Sequence, residues 1–244
     1  MMAQGHSLSA VAIGLGVASL PFVGYDITYS ILISILLAGA ALLPDWDHPG
    51  AIAATTFGFV SRGIAKLIDL LSLTVYLSTK KRHEFEKTSG HRTFTHTAVF
   101  AIICGLLFYS LSFISIWVNY TLTFILVCLA LRGLAPRFSN RNGKPFLWIL
   151  GAGLIAAMHF QLINPLPDLV LAVILTIGMI IHVLGDCITN TGAPLLWPIV
   201  IDSKRWYRVK FPLNFETNSD FEKYTMWNIF RITIVLILLY RTIL

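Results

Sequence analysis

Charged residues are scarce in this sequence: Asp, Glu, Lys and Arg together make up 12% of its 244 residues. Soluble domains carry about 25% charged residues, so this composition excludes an ordinary soluble protein. Hydrophobic residues reach 56%, and long apolar runs recur along the chain. The sequence therefore predicts an all-α integral membrane protein, a polytopic bundle of transmembrane helices.

Cysteine is also rare. The chain has three, Cys104, Cys128 and Cys187, without the spacing that metal-binding cysteines show. All three lie in apolar runs, which predicts buried thiols and no disulfide framework. No Lys or Arg precedes the first apolar stretch, 8–23, which is unlike a secretory signal peptide. We therefore expect that stretch to be a retained membrane helix.

Seven apolar stretches approach the length of about 20 residues that a membrane-crossing helix needs. The predicted spans are 7–23, 29–43, 97–118, 122–134, 146–163, 169–189 and 226–243. The stretch 52–77 is also apolar, yet Arg62, Lys66 and Asp69 recur on one helical face. This spacing predicts an amphipathic helix that lies in the membrane interface rather than across the core.

The basic residues predict the orientation of the bundle. The chain has 18 Lys and Arg against 12 acids, an excess that is expected to orient a membrane protein rather than bind nucleic acid. With the predicted spans, Arg132, Arg137, Arg141 and nearly all other basic residues fall on one side. Only Arg241 falls on the other. Because basic residues mark the cytoplasmic face, this side is predicted to face the cytoplasm of a bacterial-type inner membrane.

The chain is predicted to be one membrane-embedded domain, 1–244, with an interfacial segment at 52–89 and a cytoplasmic loop at 190–225. That loop mixes aromatic and basic side chains, such as Trp206 and Arg208. Such a mixture suits contact with lipid headgroups, and a simple interfacial anchor explains it equally well.

The first of three polar clusters, 44–48, follows the second predicted span and reads Pro-Asp-Trp-Asp-His. Two carboxylates and an imidazole beside a membrane helix are costly unless something compensates them. A bound cation would relieve the repulsion between Asp45 and Asp47 and use His48 as a ligand. By itself the cluster favours a solvated polar turn; together with the next two it indicates a cation site.

The second cluster, 90–96, reads Gly-His-Arg-Thr-Phe-Thr-His and begins the third predicted span. His91 and His96 can converge if the first lies in a turn and the second in the opening helical turn. Arg92 supplies a guanidinium whose geometry suits phosphate or carboxylate oxygens. A helix cap formed by a threonine is the alternative role, and it is compatible with the first.

The third cluster places His182, Asp186 and Thr189 on one face at the end of the sixth predicted span. His and Asp four residues apart on a helix can bind one ion, or the Asp can bridge two. A hydrogen-bonded His–Asp pair between packed helices is a serious alternative. His6, just ahead of the first span, is predicted to lie on the same side of the membrane.

In this order the motifs resemble the YdjM-type inner-membrane metal-dependent hydrolases. The matching positions are His6, 44–48, 90–96, His182, Asp186, Thr189 and 192–198. The family is distantly similar to zinc-dependent phospholipase C, whose helical sites hold several zinc ions with His and Asp. The chain departs from the family pattern in the segment 52–89, which is extended here.

We therefore predict a metal-dependent hydrolase, a phosphoesterase with its site at the cytoplasmic membrane interface. Four ligands satisfy a structural zinc site, so a larger set predicts two or three ions with open positions. The candidate ligands are His6, Asp45, Asp47, His48, His91, His96, His182 and Asp186. The mixed His and Asp set favours zinc, with manganese or iron as alternatives.

Catalytic roles are predicted for four residues. Arg92 would stabilise charge in the transition state, and Asp45 or Asp47 would serve as general base. Thr189 is included because it lies on the same helical face as His182 and Asp186. The expected partner is a membrane lipid or lipid-linked substrate, with no nucleic acid; the oligomeric state is left open.

Two other classes of protein fit part of the pattern. An ion-binding transporter would also carry ionisable residues in its spans, although a carrier should place them near the bilayer midplane between broken helices. A structural membrane protein would bind metal only for stability. Turnover of a phosphoester that a chelator abolishes separates the hydrolase from both.

Overall fold

The computed structural model describes residues 1–20, 26–136 and 143–243. Nine α-helices and no strand are assigned within these ranges. The helices are α1 (Ala3–Ala18), α2 (Ile27–Ala40), α3 (Ile52–Thr56), α4 (Phe59–Thr79), α5 (Ala98–Ser112), α6 (Ile116–Leu134), α7 (Lys144–His159), α8 (Asp168–Cys187) and α9 (Trp227–Ile243). The predicted end of the first span and the placement of Arg137 and Arg141 lie outside the described residues.

Four helical stretches of the described chain are long and apolar enough to cross a membrane, fewer than the seven predicted. They are Ile27–Asp47, Ile116–Leu134, Asp168–Cys187 and Phe221–Ile243. The other apolar helices, α1, α5 and α7, have 16, 15 and 16 residues. At 1.5 Å per residue they reach about 24 Å, whereas the hydrocarbon core is about 30 Å thick.

The break between α5 and α6 explains part of this difference. The predicted span 97–118 is continuous in hydropathy, but α5 ends at Ser112 and α6 begins at Ile116. Ser115 has extended backbone and its hydroxyl accepts a hydrogen bond from the Trp117 amide, which makes it the N-cap of α6. A serine cap inside an apolar run therefore divides one predicted span into the ends of two helices.

The core lies around α2, which packs against α1, α6 and α8. Leu36, Leu126 and Leu171 are fully buried there. On α8, a Cβ at position 178 would lie 2.5 Å from the Cβ of Ala40, so only glycine allows this approach of the two helices. The contact fixes the last two turns of α8 beside the C-terminal end of α2.

α4 is amphipathic, in agreement with the sequence pattern. Phe59 and Leu67 are exposed, whereas Ser61 and Ala65 are buried against the rest of the chain. The Trp46 indole donates a hydrogen bond to the Ser61 carbonyl at 3.0 Å, so α4 packs on the 3₁₀ turn that follows α2. Its position in the membrane interface stays a prediction.

The segment after α8 folds back over the end of the bundle. Isolated bridges join Thr189 to Phe215 and Ala193 to Val209. No residue of α9 is buried, and this helix packs mainly along α1. The three cysteines are free thiols; Cys128 and Cys187 are buried as predicted, whereas Cys104 is half-buried.

Candidate metal centre

Polar side chains from four parts of the chain meet at one end of the bundle. They form two groups of two histidines and one aspartate, in each of which the possible ligand atoms lie within 4.8 Å of one another. The first triad consists of His6, His182 and Asp186, and the second triad consists of Asp45, His91 and His96. Six of the eight ligands predicted from the sequence thus come together.

The two triads are in contact. The Nε2 atom of His96 lies 3.3 Å from Nε2 of His182 and 3.3 Å from Oδ1 of Asp45. Oδ2 of Asp186 lies 3.6 Å from the same His96 atom and 3.8 Å from Nε2 of His182. Neighbouring donors around a tetrahedral zinc ion with bonds of about 2.0–2.1 Å are about 3.3–3.4 Å apart. The spacing within each triad fits a bound divalent cation, since His6 Nε2 lies 3.4 Å from Oδ1 of Asp186 and His96 Nε2 lies 3.3 Å from Oδ1 of Asp45.

Hydrogen bonds orient the two central imidazoles. His182 Nδ1 lies 2.7 Å from the Ala41 carbonyl, to which only an N–H can donate. The Thr95 hydroxyl donates to Asp47 Oδ2 at 2.5 Å, so its oxygen accepts from His96 Nδ1 at 2.9 Å. In the neutral rings both Nε2 atoms therefore carry lone pairs and face each other, which is the tautomer that metal ligands use.

The surrounding carboxylates attract positive charge to this position. Burial lowers the pKa of His96, but the protonated ring can donate a hydrogen bond to Asp45 and is attracted by the charge of Asp47, and together these raise the pKa overall. Cations also lie beside Asp186: its Oδ1 is 2.5 Å from the Met1 amino group and 3.2 Å from Nη2 of Arg92.

Several buried polar atoms at the centre have no hydrogen-bond partner in the described part of the chain. They are both ring nitrogens of His6 and Oδ2 of Asp186. Buried polar groups are nearly always satisfied, so unpartnered atoms that face one another point to a ligand. His6 is fully buried, and its ring stacks on that of His182 at 3.7 Å. The donor set fits metal ions of the zinc type.

Asp47 and His48 were predicted as ligands, but neither joins a triad. Asp47 Oδ1 accepts a hydrogen bond from Nδ1 of His91 at 2.8 Å, and its other oxygen is engaged by Thr95. Asp47 thus positions His91 and leaves Nε2 of that ring available. His48 is exposed at the rim, and its Nδ1 accepts a hydrogen bond from the Gly50 amide at 3.2 Å.

Thr189 and Arg92 were both predicted to be catalytic, but Thr189 contacts the backbone of α8, whereas Arg92 contacts side chains. The Thr189 hydroxyl is buried and donates to the Asp186 carbonyl at 2.7 Å, so it closes the last turn of α8. Arg92 reaches Asp186 with one guanidinium nitrogen and the Thr191 hydroxyl with the other. Its φ of 56° is uncommon for a side-chain-bearing residue and is typical of functional sites.

α4 holds the loop that carries His91 and His96 of the second triad, a role that sequence patterns did not reveal. Oδ1 of Asp69 accepts a hydrogen bond from the Gly90 amide at 2.7 Å. A Cβ at Gly90 would lie 2.3 Å from the Asp69 carbonyl oxygen, so only glycine fits here. The long segment 52–89 therefore supports His91 from outside the helix bundle.

A basic cavity of about 740 Å³ opens beside Arg92. Its basic side chains are Lys87, Arg92, Lys204, Arg208 and Lys210. The ammonium group of Lys87 donates to the His91 carbonyl at 2.8 Å, so one loop joins the cavity to the second triad. Burial and the neighbouring Arg208 guanidinium lower the pKa of Lys87 to about 8.

Replacing Asp47 by Asn is expected to weaken metal binding by about 10–100-fold without abolishing it, because the variant loses the charge that orients His91. Competition with a chromophoric chelator measures the affinity, and Asp202→Asn in an exposed turn is the matched control. Unchanged affinity would refute the positioning role. Complete loss of an ion would instead make Asp47 a direct ligand.

The model of one protein family, described as YdjM inner membrane protein, matches residues 1–140 and 144–244. Searches of curated proteins and of solved structures gave no match. The family match agrees with the four apolar helices long enough to cross a membrane in the described chain. The distant similarity to phospholipase C stays a prediction. Because the match covers nearly its whole length, the chain belongs to the YdjM inner membrane protein family.

Proposed function

We propose that this protein is a metal-dependent hydrolase that cleaves a phosphoester at the membrane interface. The observation that carries the proposal is the meeting of two His₂Asp triads, the first of which contains buried ring nitrogens and a carboxylate oxygen that lack hydrogen-bond partners among the described residues. One divalent ion in each triad, zinc before manganese or iron, suits these ligands. Such ions lower the pKa of bound water and polarise phosphoryl oxygens.

The side chains around the triads divide the remaining work. Arg92 presents a guanidinium to the oxygens of the phosphoryl group and stabilises the charge that develops there. Asp45 is 23% exposed, whereas Asp186 is fully buried, so substrate and water approach from the side of Asp45. Asp45 is therefore the better candidate for an exchangeable ligand or a general base. Asp47 and Thr95 keep the histidines in position.

A lipid or lipid-linked phosphoester is the proposed substrate, and the cytoplasmic face is the proposed location of the site. The basic residues of the cavity, Lys87, Lys204, Arg208 and Lys210, lie at the same end of the chain's bundle as the triads. Basic residues are enriched on the cytoplasmic side of inner-membrane proteins. The position at helix ends rather than at mid-helix favours a hydrolase over a carrier.

Hydrolysis of bis(p-nitrophenyl) phosphate by the purified full-length protein tests the proposal. We expect zinc-dependent turnover that a chelator abolishes and that added zinc restores. His91→Ala should remove the activity, while His159→Ala, which contacts Trp117 far from the triads, should keep it. Retained metal without cleavage of this ester, of a phospholipid or of a lipid-linked phosphate would refute the enzyme assignment.

A further inference from the structure

The basic cavity contains more positive charge than its own carboxylates neutralise. Glu84 and Glu86 are the acidic residues in its lining. Glu84 is buried and accepts hydrogen bonds from the amides of Lys81 and Trp206 at 2.6 and 2.7 Å. Glu86 forms an ion pair with Lys80. Both carboxylates are therefore bound by groups other than the lysine and arginine side chains of the cavity.

Apart from Arg92, which contacts Asp186, the cations of the cavity are not paired with carboxylates of the described residues. In the described ranges, none of Lys87, Lys204, Arg208 and Lys210 forms an ion pair. Lys87 and Arg208 instead donate to the backbone carbonyls of His91 and Thr191, at 2.8 and 3.4 Å. Cations that are concentrated in a concave, partly buried wall attract an anion strongly.

The aromatic residues of this loop build the wall of the cavity. Trp206 is 8% exposed and stacks on Trp197 at 5.2 Å, with Tyr76 at 5.1 Å on its ring. Its indole N–H donates to the Thr79 hydroxyl at 3.2 Å. Trp206 is buried and hydrogen-bonded, so this side chain is not a membrane anchor; anchoring by the rest of the loop 190–225 stays a prediction.

We propose that the basic cavity is a subsite for a dianionic phosphate group that the substrate carries beyond the bond that is cleaved. Lysine and arginine side chains suit phosphate oxygens, and Arg92 lines the cavity while it also contacts Asp186. The anion therefore lies directly next to the triads. That this phosphate group is part of a substrate rests on the proposed function, whereas the binding of phosphate to the basic cavity does not.

Calorimetric titration of the full-length protein in detergent tests the subsite with two probes, inorganic phosphate and dihexanoyl phosphatidic acid. Lys87→Gln/Arg208→Gln is expected to weaken binding by about 100-fold, since two charge-assisted contacts of about tenfold each are lost. Lys81→Gln/Arg82→Gln removes the same charges from the same region outside the cavity and should leave binding unchanged. Tighter binding of the lipid probe identifies a headgroup; equal binding identifies a soluble phosphate ester.

Metal content, measured on each variant, separates the possible outcomes. Equal binding by the double variant and the wild type would overturn the subsite, because phosphate would then bind only the ions; so would no binding of either probe to the wild type. If the double variant loses its metal, the exposed pair Lys204→Gln/Lys210→Gln decides, and unchanged binding there overturns the proposal. Loss of binding without any phosphoester turnover supports the subsite and refutes only the hydrolase.

Discussion

Replacing Arg92 by Lys is expected to lower kcat for phosphodiester hydrolysis by about 10²–10³-fold while both triads keep their ions. The substitution keeps the charge but loses the planar fork that contacts Asp186 and Thr191 together. A lysine in its place cannot present two donors to the phosphoryl oxygens in a fixed arrangement. Steady-state kinetics with parallel metal analysis measures the effect.

The exposed Arg82 provides the matched control, since Arg82→Lys should leave kcat and metal content unchanged. A rise in KM alone, with normal kcat, would show that Arg92 binds the substrate without stabilising the transition state. Loss of an ion in Arg92→Lys would show that the residue supports the first triad instead. Both results contradict the proposed catalytic role.

His182→Gln is expected to lose the ion of the first triad and to reduce turnover at least as far as Arg92→Lys does. The imidazole supplies the Nε2 atom that faces Asp45, His96 and Asp186 at 3.3–3.8 Å. Glutamine preserves much of the volume, so the core around α2 and α8 should still pack. Elemental analysis of the purified variant measures the ion, and the phosphodiester assay measures turnover.

His159→Gln is the control for this experiment, because His159 lies at the C-terminal end of α7 and contacts Trp117 and Tyr120. The control should retain full metal content and activity. If His182→Gln keeps the wild-type number of ions, the first triad does not bind metal, and the stacked His6 and His182 are a structural pair.

The candidate site was more accessible to sequence reasoning than the helix count. Histidines and acids at the ends of apolar runs are expensive without a partner, so their types pointed to His96 and Asp186, and the predicted topology placed His6 on the same side of the membrane. The roles of Asp47 and Thr95 were not predictable, because they depend on hydrogen bonds between distant parts of the chain. Asp47 contacts His91, which is 44 positions away, and Thr95, which is 48 positions away. A carboxylate that binds an ion and one that orients a histidine look alike in a sequence.

The number of spans was wrong because hydropathy does not report where a helix ends. α5 and α7 are apolar over much of their length, but α5 ends at Ser112, ahead of the Ser115 cap of α6, and α7 ends at His159. Glu84 shows the converse: it lies in a run of charged residues, which is typical of a solvated loop, yet its carboxylate is buried and accepts a hydrogen bond from the Trp206 amide. In the case of Glu84, a tertiary contact overrides the local composition.

The segment 52–89 shows why the support of the site was missed. Its amphipathic pattern was evident, and α4 has that character. Which loop its polar face would hold was not encoded in periodicity, since the bond from Gly90 to Asp69 joins residues 21 positions apart. The short-range pattern predicts that α4 is a helix. The fold of the following loop determines which residues α4 supports.

Metal analysis of the full-length protein, purified without chelator, tests the central claim most directly. The two triads predict two divalent ions per chain, zinc in preference to manganese or iron. A chain that holds no stoichiometric metal, even after incubation with zinc and removal of the excess, would contradict the account.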